Sequence, residues 1–361
     1  MPSAADDIRA AIAAAGGDIP FAGFMSLALY GEHGFYSTSG RAGRRGDFIT
    51  SPEVGPLFGA VLARWIDAEW ERLGRPADFT VVDAGAGPGT LARAVLAAAP
   101  ACSSAMRYVA VETSAAQRGM HPEGVDSVAT MPTELGDGVV IANELLDNLP
   151  FSLWVHDDGW REACVAASGD GFVEVLRTGE APFPLKPGAP HGARVPVQTA
   201  AARWLGDALG SLSRGSVMVV DYCTARTVEA AVMPWREWLR TYAAHGRGGH
   251  YLRDPGTQDI TAQVMIDQLA AVREPDAVRS QAQFLQRWGI DDLVAEGIRV
   301  WRENAGAPTL PAMRMRSRVS ESEALLDPRK PACSQRVTLI FSRRKSRYSS
   351  SVNPCSPRSA R

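Results

Sequence analysis

Residues 79–91 read Phe-Thr-Val-Val-Asp-Ala-Gly-Ala-Gly-Pro-Gly-Thr-Leu. The first four are aromatic or β-branched, which is typical of a buried strand. A glycine-rich turn follows, and residues 90–99 then carry apolar side chains at helical spacing up to Pro100. Strand, glycine turn and helix make the first half of a βαβ unit, so this stretch predicts an α/β fold.

Other apolar segments continue the alternation of strands and helices. Strands are predicted at residues 107–112, 139–142, 217–221 and 336–341. Residues 153–165 predict a hairpin around an Asp-Asp-Gly turn. The alternation predicts a Rossmann-like core, a mainly parallel sheet with helices on both faces. The stretches around 180–200 and 223–300 are too long for simple crossovers, so we expect inserted substrate-side structure there.

Three regions are expected along the chain. Residues 1–75 hold N-terminal helices and a substrate-side loop, and residues 76–342 hold the core with its insertions. Residues 343–361 are rich in Arg, Ser and Pro without any acidic residue, a composition that predicts a disordered basic tail.

The composition argues against several classes of function. The 361 residues carry a formal net charge of −2, which gives no basic field for nucleic acid. The five cysteines form no Cys-x-x-Cys pair, which argues against a disulfide framework and a zinc site and predicts a reducing cytoplasm. No apolar run of about 18 residues is present, so we expect no membrane span. We expect no bound metal either.

The glycine turn that begins at Asp83 has the pattern Asp-x-Gly-x-Gly-x-Gly. Gly85, Gly87 and Gly89 let the chain bend tightly and let a ligand approach the backbone beyond the carboxyl end of the strand. Asp83 suits the cationic end of S-adenosylmethionine. Glu112 lies 25 residues after Gly87 (112 − 87), at the end of the next strand, where a carboxylate can accept both ribose hydroxyls. Turn and acid together predict a site for S-adenosylmethionine.

Two other interpretations of the turn stay open. A nicotinamide dinucleotide site would need the spacing Gly-x-Gly-x-x-Gly, whereas Pro88 stands between two of the glycines here. The turn could also serve only to pack the following helix on the strand.

Residues 142–150 read Ala-Asn-Glu-Leu-Leu-Asp-Asn-Leu-Pro and follow another predicted strand. Glu144 and Asp147 are three residues apart and would share one face of a helical turn. Two neighbouring carboxylates are unfavourable unless a cation meets them, and a planar guanidinium fits them. We therefore take both as candidate catalytic residues, with Asn143 as a candidate cofactor contact. Alternatively, Asp147 caps a turn and Glu144 is solvated.

A second candidate segment is residues 46–53, Gly-Asp-Phe-Ile-Thr-Ser-Pro-Glu. Asp47 and Ser51 are its candidate catalytic residues, on a segment that could act as a lid. The same residues also fit a plain helix start, with Thr or Ser at the N-cap, Pro at the first position and an acid in the first turn.

These motifs together resemble the MidA-like family, bacterial relatives of the mitochondrial complex I assembly factor that is a protein-arginine methyltransferase. The resemblance runs from about residue 24 to about residue 341, and the pairing of the runs at 46–53 and 142–150 is specific. Further matching stretches are residues 83–91, 111–114, 220–222, 239–242 and 259–261.

The resemblance implies a class I methyltransferase core with a mostly parallel seven-stranded sheet. It also implies S-adenosyl-L-methionine as cofactor and a protein arginine as the methyl acceptor. The residues that it places at the cofactor are Gly85, Gly87, Gly89 and Glu112. Those that it places near the reaction are Asp47, Ser51, Glu144 and Asp147.

The chain departs from the family pattern in the inserted region. Cys223 stands where the family has Gly, and Gln263 and Met265 stand where it has His and Asp. These departures bear on the substrate more than on the cofactor. A different class of function also stays open, an assembly chaperone that binds S-adenosylmethionine without turnover.

Overall fold

The computed structural model describes residues 2–38, 50–243, 246–307, 309–327 and 336–343. Its helices are α1 (Ala4–Ala14), α2 (Phe21–Tyr30), α3 (Phe35–Thr38), α4 (Ser51–Val54), α5 (Pro56–Arg72), α6 (Thr90–Ala97), α7 (Ala115–Arg118), α8 (Thr199–Ser211), α9 (Thr227–Ala230), α10 (Trp235–Trp238), α11 (Ile266–Ala270), α12 (Gln281–Arg287), α13 (Ile290–Asn304) and α14 (Leu310–Leu326), with a 3₁₀ helix, η1 (Leu146–Asn148). Its strands are β1 (Asp18–Pro20), β2 (Phe79–Ala84), β3 (Met106–Val111), β4 (Asp126–Val128), β5 (Gly136–Asn143), β6 (Ser152–His156), β7 (Trp160–Ser168), β8 (Gly171–Arg177), β9 (Arg194–Val197), β10 (Leu212–Thr224), β11 (Leu239–Ala243), β12 (Gly246–Arg247), β13 (Asp259–Ala262), β14 (Val264–Met265), β15 (Ala277–Ser280) and β16 (Arg336–Arg343).

The main sheet is an α/β sheet with the strand order β15-β16-β10-β5-β2-β3-β4, and β14 pairs with β10. The five strands from β10 to β4 are parallel, while β16 runs antiparallel to β10 and β15 antiparallel to β16. The sheet is therefore mixed and mostly parallel, with eight strands in place of the seven predicted. Every residue of β2 is buried, as expected of a central strand that is covered on both faces.

Helices cover both faces of this sheet. On one face, Phe58 and Trp65 of α5 join an apolar cluster with Val81 and Ile141 of the strands. On the other face, α8 and α11 pack against the alternate side chains of the same strands. Because α5 contributes to this core, it packs as part of the main α/β layer although it lies in the N-terminal region.

A second, antiparallel sheet has the order β1-β7-β6-β9, with β8 beside β7. The predicted hairpin is confirmed, since β6 and β7 pair and place His156 opposite Trp160. Strands β6, β7, β8 and β9 pair with one another, and β1 pairs with β7. α1 and α2 pack on this sheet through apolar side chains such as Ile8 and Phe24.

A third, small sheet, β12-β11-β13, lies inside the predicted insertion at 223–300 and shares the apolar cluster of the second sheet. The stretch from Tyr30 to Gly59, which lacks any predicted element before α5, contains α3 and α4.

The candidate Asp47 and the basic tail beyond Arg343 lie outside the described residues. None of the helices in the described ranges has the length and apolarity that a membrane crossing needs.

The contact between α5 and α6 gives a test of this packing. A Cβ on Gly59 would lie 2.4 Å from the Cβ of Ala94, so we expect Gly59→Ala to lower the free energy of unfolding by about 1–3 kcal/mol. Gly206 of α8 is the matched control, since its added Cβ would meet only Val272 at 3.7 Å. Gly206→Ala should leave the stability unchanged or raise it by up to about 1 kcal/mol. Urea unfolding measures both; equal stability of Gly59→Ala and the wild type would contradict the packing.

Candidate active site

The carboxyl ends of β2, β3 and β5 open into one cavity of about 420 Å³. Asp83, the glycine turn and Glu112 line one part of it, and Asn143, Glu144 and Leu145 line another. Tyr30 and Tyr36 from the N-terminal helices, and Thr50, Pro52 and Glu53 from the region of α4, line the remaining wall. The volume and the position suit a small-molecule site at the carboxyl edge of an α/β sheet.

The glycine turn bends through three left-handed residues. Gly85, Gly87 and Gly89 have φ values of 71°, 54° and 77°, a region in which residues with a Cβ are strained. A Cβ on Gly85 would also lie 3.0 Å from Cδ1 of Leu145. The backbone N–H of Gly85 donates to the carbonyl of Val111, which ties the turn to β3. Gly85 and Gly87 expose their backbone to the cavity, whereas Gly89 lies against His121 and Pro122 and does not line it.

Glu112 lies directly after β3 and faces the turn. Its Oε2 accepts the backbone N–H of Gly87 at 3.0 Å, and its Oε1 accepts the backbone N–H of Ser114 at 2.8 Å. Oε1 also accepts a longer hydrogen bond from the hydroxyl of Thr113 at 3.4 Å, so Oε2 keeps acceptor capacity for a ribose hydroxyl. The structure therefore brings Glu112 and the glycine turn together, as the sequence spacing predicts.

Asp83 lies at the end of β2, 2% exposed, and lines the cavity. The pKa of its carboxyl is raised to about 7, mainly by burial; the hydrogen bond from the hydroxyl of Tyr108 to Oδ2 at 3.3 Å opposes the rise, and the nearby Glu112 adds to it. A ligand with a positive charge in the cavity would favour the ionised form.

Asn143 ends β5 and also lines the cavity. Its amide donates to Oε1 of Glu144 at 3.3 Å, while its buried Oδ1 has no hydrogen-bond partner among the described residues. A buried acceptor without a partner favours a ligand that brings an N–H or O–H group. The bent turn, the free acceptor sites of Glu112, Asp83 and this oxygen fit S-adenosylmethionine.

Glu144 lies at the other end of the cavity and is held by an arginine of the same chain. Its φ of 52° places it in the left-handed region, so Glu144 does not lie on the helical turn that the spacing predicted. Its Oε2 accepts a hydrogen bond from Nη2 of Arg336 at 2.7 Å, and Arg336 is 1% exposed. The carboxylate of Glu144 is thus largely shielded from solvent and paired with a cation.

Asp147 lies on η1 and is 5% exposed. Burial raises the pKa of its carboxyl well above the usual value, and Asp221, Glu144 and Asp259 raise it further, while Arg336 opposes them. Oδ1 of Asp147 has no hydrogen-bond partner in the part of the chain that the structure describes. Asp147 does not itself line the cavity wall, but lies beside Asn148, which does.

Asp221 and Asp259 are two further buried carboxyls next to Asp147, and both accept hydrogen bonds. Asp221 accepts the backbone N–H groups of Leu146 and Asp147 on Oδ2, at 3.0 and 3.3 Å. Burial and then Glu144 raise the pKa of Asp221 to about 7. The four carboxyls of this region do not form a metal site, since no group of three or more His, Cys, Asp or Glu suited to a metal exists in the described ranges.

Asp259 of β13 connects the small third sheet to the cavity. Its Oδ1 accepts the side-chain amide of Asn148 and the hydroxyl of Tyr36, both at 3.0 Å. The rings of Tyr30 and Tyr36 are stacked at 5.5 Å and 17°, and the hydroxyl of Tyr30 donates to the carbonyl of Asn148 at 3.0 Å. The two tyrosines thereby form an aromatic wall beside the carboxyl groups.

Ser51 lies behind the cavity wall and is fully buried. Its hydroxyl donates to Oε1 of Gln281 at 2.7 Å and accepts from Nη1 of Arg336 at 2.7 Å, and its backbone N–H donates to Oε1 of Glu144 at 3.4 Å. Thr50 stands at the N-cap of α4 and Pro52 in its first turn, so the helix start that the sequence allowed is present. The structure brings Ser51 to Glu144, whereas Asp47 lies outside the described residues.

Several residues of the site are absent from the sequence-based candidates. They are Arg336, Asp221, Asp259, Asn148, Tyr30 and Tyr36. A charged residue at the start of the otherwise apolar run 336–341 is the clearest signal that was available for any of them. By contrast, Cys223, Gln263 and Met265, where the chain departs from the family pattern, do not line the cavity.

Comparison with protein families matches residues 61–282, more than half of the chain, to a family described as "Putative S-adenosyl-L-methionine-dependent methyltransferase". A protein of Burkholderia thailandensis, solved in complex with S-adenosyl-homocysteine, is 28% identical, with a TM-score of 0.78 over 94% of this chain and 92% of that chain. A native crystal structure from the same organism gives 28% identity and a TM-score of 0.76, over 94% and 91%.

Two curated relatives carry more specific names. The mitochondrial protein arginine methyltransferase NDUFAF7 homolog of Drosophila melanogaster is 31% identical over 205 residues, 48% of this chain and 47% of the relative, so the match spans about half of that protein. The mitochondrial protein arginine methyltransferase NDUFAF7 of Rattus norvegicus is 25% identical over 368 residues, 87% of this chain and 79% of the relative.

The raised pKa of Asp83 predicts a pH dependence of ligand binding. With a pKa of about 7, the carboxyl is mostly neutral at pH 6 and mostly ionised at pH 7.5, and only the ionised form attracts the ligand's ammonium group. We expect the affinity for S-adenosyl-homocysteine to rise roughly fivefold to tenfold between these pH values, with proton release on binding. Calorimetry in two buffers measures both effects. Asp83→Asn should remove the pH dependence; a wild type whose affinity stays flat would contradict this role.

Proposed function

Because the chain belongs to the family of S-adenosyl-L-methionine-dependent methyltransferases, we propose that it methylates an arginine side chain of a protein. The observation that carries the proposal is the excess of buried carboxyl groups over cations at the acceptor end of the cavity. Glu144, Asp147, Asp221 and Asp259 lie together there, and Arg336 is the arginine paired with them in the described residues. A guanidinium from an acceptor would supply the missing positive charge.

Each of these carboxyls except that of Asp147 has hydrogen-bond or ion-pair partners among the described residues. Arg336 compensates Glu144, and backbone N–H groups compensate Asp221. Asp259 accepts from Asn148 and from two further donors. Burying an ionised carboxyl without a cation is costly, so Asp147 is either neutral or paired in the working complex. A guanidinium offers a planar set of donors that matches carboxylate geometry.

The aromatic wall is a second feature that suits a guanidinium. Tyr30 and Tyr36 line the cavity next to Glu144 and Asn148, and a guanidinium can stack on such ring faces. Their hydroxyls are tied to Asn148 and Asp259, so the rings have little freedom to move. An arginine side chain of a protein can reach into such a cavity while the rest of the partner stays outside. The names of the Drosophila and rat relatives support the same acceptor.

We propose direct in-line transfer of the methyl group of S-adenosylmethionine to a guanidinium nitrogen without a covalent enzyme intermediate. The N–C bond forms as the C–S bond breaks, S-adenosyl-homocysteine leaves, and the nitrogen gives up one proton, which Oε1 of Glu144 would accept and pass to solvent. The work of the protein is then to align the acceptor and to exclude water. Glu144 would fix the plane of the guanidinium, on which Asp147 would act through its charge. The same carboxyls would stabilise the positive charge that the acceptor carries as the bond to carbon forms.

This function predicts a selective effect of Asp147→Asn. The variant keeps the size of the side chain but removes the negative charge, so methyl transfer should fall by about 100-fold or more, while affinity for S-adenosyl-homocysteine stays unchanged. Asp207→Asn, at an exposed position on α8, is the matched control and should retain full activity. The assay adds labelled S-adenosylmethionine to a lysate and identifies the labelled residue by mass spectrometry.

The same assay separates the alternatives. Label on lysine, or on a small molecule only, would contradict the arginine acceptor while leaving the methyltransferase in place. Cofactor binding without transfer to any component of the lysate would favour the assembly chaperone that binds S-adenosylmethionine without turnover.

A further inference from the structure

Arg336 links three separate elements at the acceptor end of the cavity. Its Nη1 donates to Oγ of Ser51 at 2.7 Å, and its Nη2 donates to Oε2 of Glu144 at 2.7 Å and to the hydroxyl of Tyr222 at 2.8 Å. The guanidinium also lies 4.9 Å from the ring centroid of Tyr222. At 1% exposure it is among the largest fully buried side chains of the described chain.

The direction of β16 explains why Arg336 is found there. β16 pairs antiparallel with β10, and its first residue, Arg336, lies opposite Tyr222. β10 runs parallel to β5, with Val220 opposite Asn143. The start of β16 therefore meets the edge at which the parallel strands end, directly beside Glu144. A buried arginine at this place has a cost in desolvation that an ion pair with good geometry offsets.

Glu144 depends on such support because its backbone is strained. With φ at 52° it occupies a conformation that residues with a Cβ rarely adopt, and such a conformation persists where the surroundings determine it. The backbone N–H of Glu144 donates to the carbonyl of Val220 at 2.8 Å, and Arg336 fixes the other end, the carboxylate. The two oxygens of that carboxylate have different contacts. Oε2 has the short contact with Arg336, whereas Oε1 has contacts of 3.3 and 3.4 Å from Asn143 and Ser51.

We propose that Arg336 is a positioning residue that commits Oε2 of Glu144 to the protein and leaves Oε1 for the methyl acceptor. The acceptor part of this inference rests on the proposed function. It deepens that function, because Glu144 then offers one oxygen and cannot bind a guanidinium with both. Asp147 lies behind Asn148 and not on the cavity wall, so it acts on the acceptor through its charge and not through a direct hydrogen bond.

The chain contains a matched control for this arrangement. Arg194 of β9 pairs with Glu174 at 2.6 and 2.7 Å and donates to the hydroxyl of Tyr251 at 3.2 Å, the same combination of Arg, Glu and Tyr. None of these three residues lines the cavity. Loss of Arg194 should therefore lower stability without any effect on the chemistry.

The test compares Arg336→Lys and Arg336→Met with Arg194→Lys and Arg194→Met. We expect Arg336→Met to lower the rate of methyl transfer at saturating cofactor by about 100-fold, as for a misplaced catalytic group. Arg336→Lys should restore part of that rate, because Lys keeps the charge but lacks the fork that reaches Ser51 and Tyr222 as well. Affinity for S-adenosyl-homocysteine should stay within about twofold, since that half of the cavity is untouched. The Arg194 variants should lower the thermal midpoint and leave the rate unchanged.

Crystal structures of the variants with S-adenosyl-homocysteine give a readout that needs no acceptor. We expect the carboxylate of Glu144 to leave its position in Arg336→Met and to stay near it in Arg336→Lys. The Arg336→Lys variant remains available for the comparison if Arg336→Met does not fold. An unchanged Glu144 carboxylate in the Arg336→Met crystal, a wild-type rate in Arg336→Lys, or equal rate losses in the Arg336 and Arg194 variants would overturn the proposal. If the wild type labels no arginine, the proposed function fails, while the position of Glu144 still decides whether Arg336 holds it.

Discussion

The burial of four carboxyl groups at one edge of the main sheet is the constraint on which the acceptor end of the site depends. β5 and β10 run parallel with Asn143 opposite Val220, so the residues that follow these two, Glu144 and Asp221, lie side by side at the carboxyl end of β5. Asp221 and Glu144 are brought together by this geometry, and Asp147 follows on η1. Water is largely excluded from this region, so each ionised carboxyl needs a hydrogen-bond donor or a cation from the protein or from a ligand. The arrangement of donors therefore determines which carboxyl is left for a substrate.

The two halves of the cavity are built by different parts of the fold. The half that suits the cofactor comes from the ends of β2 and β3 and the glycine turn, all within the main sheet. The other half uses elements outside that sheet, namely α2 and α3 for the tyrosines and β13 for Asp259. The second and third sheets share one apolar cluster with α1 and α2, which holds these outer elements in place. A common core can thus keep one cofactor while the outer elements define the acceptor.

The sequence predicted the parts of the site that lie in local motifs and missed those that depend on contacts between distant segments of the chain. The glycine turn, Glu112 and the run around Glu144 are local patterns, and each lies at the end of a strand that its own residues predict. Arg336 and Asp259 are 192 and 115 residues away from Glu144 along the chain (336 − 144 and 259 − 144), and only strand pairing brings them to the site. The apolar run of β16 predicts a strand but not its antiparallel direction. Helical spacing also failed at Glu144, because Glu144 is itself left-handed and lies before the start of η1.

The departures from the family pattern fit the same division of roles. Gln263 replaces the histidine of the pattern, and its side chain bonds to the hydroxyl of Thr224 and to the carbonyl of Glu237. It therefore joins β10 to the third sheet, whose strand β13 carries Asp259. A neutral amide in that place adds no charge near the carboxyls, so the compensation of Asp147 is left to whatever enters the cavity. The bonds of Gln263 thus tie the end of β13 to β10 and to α10 without placing a further charge beside Asp259.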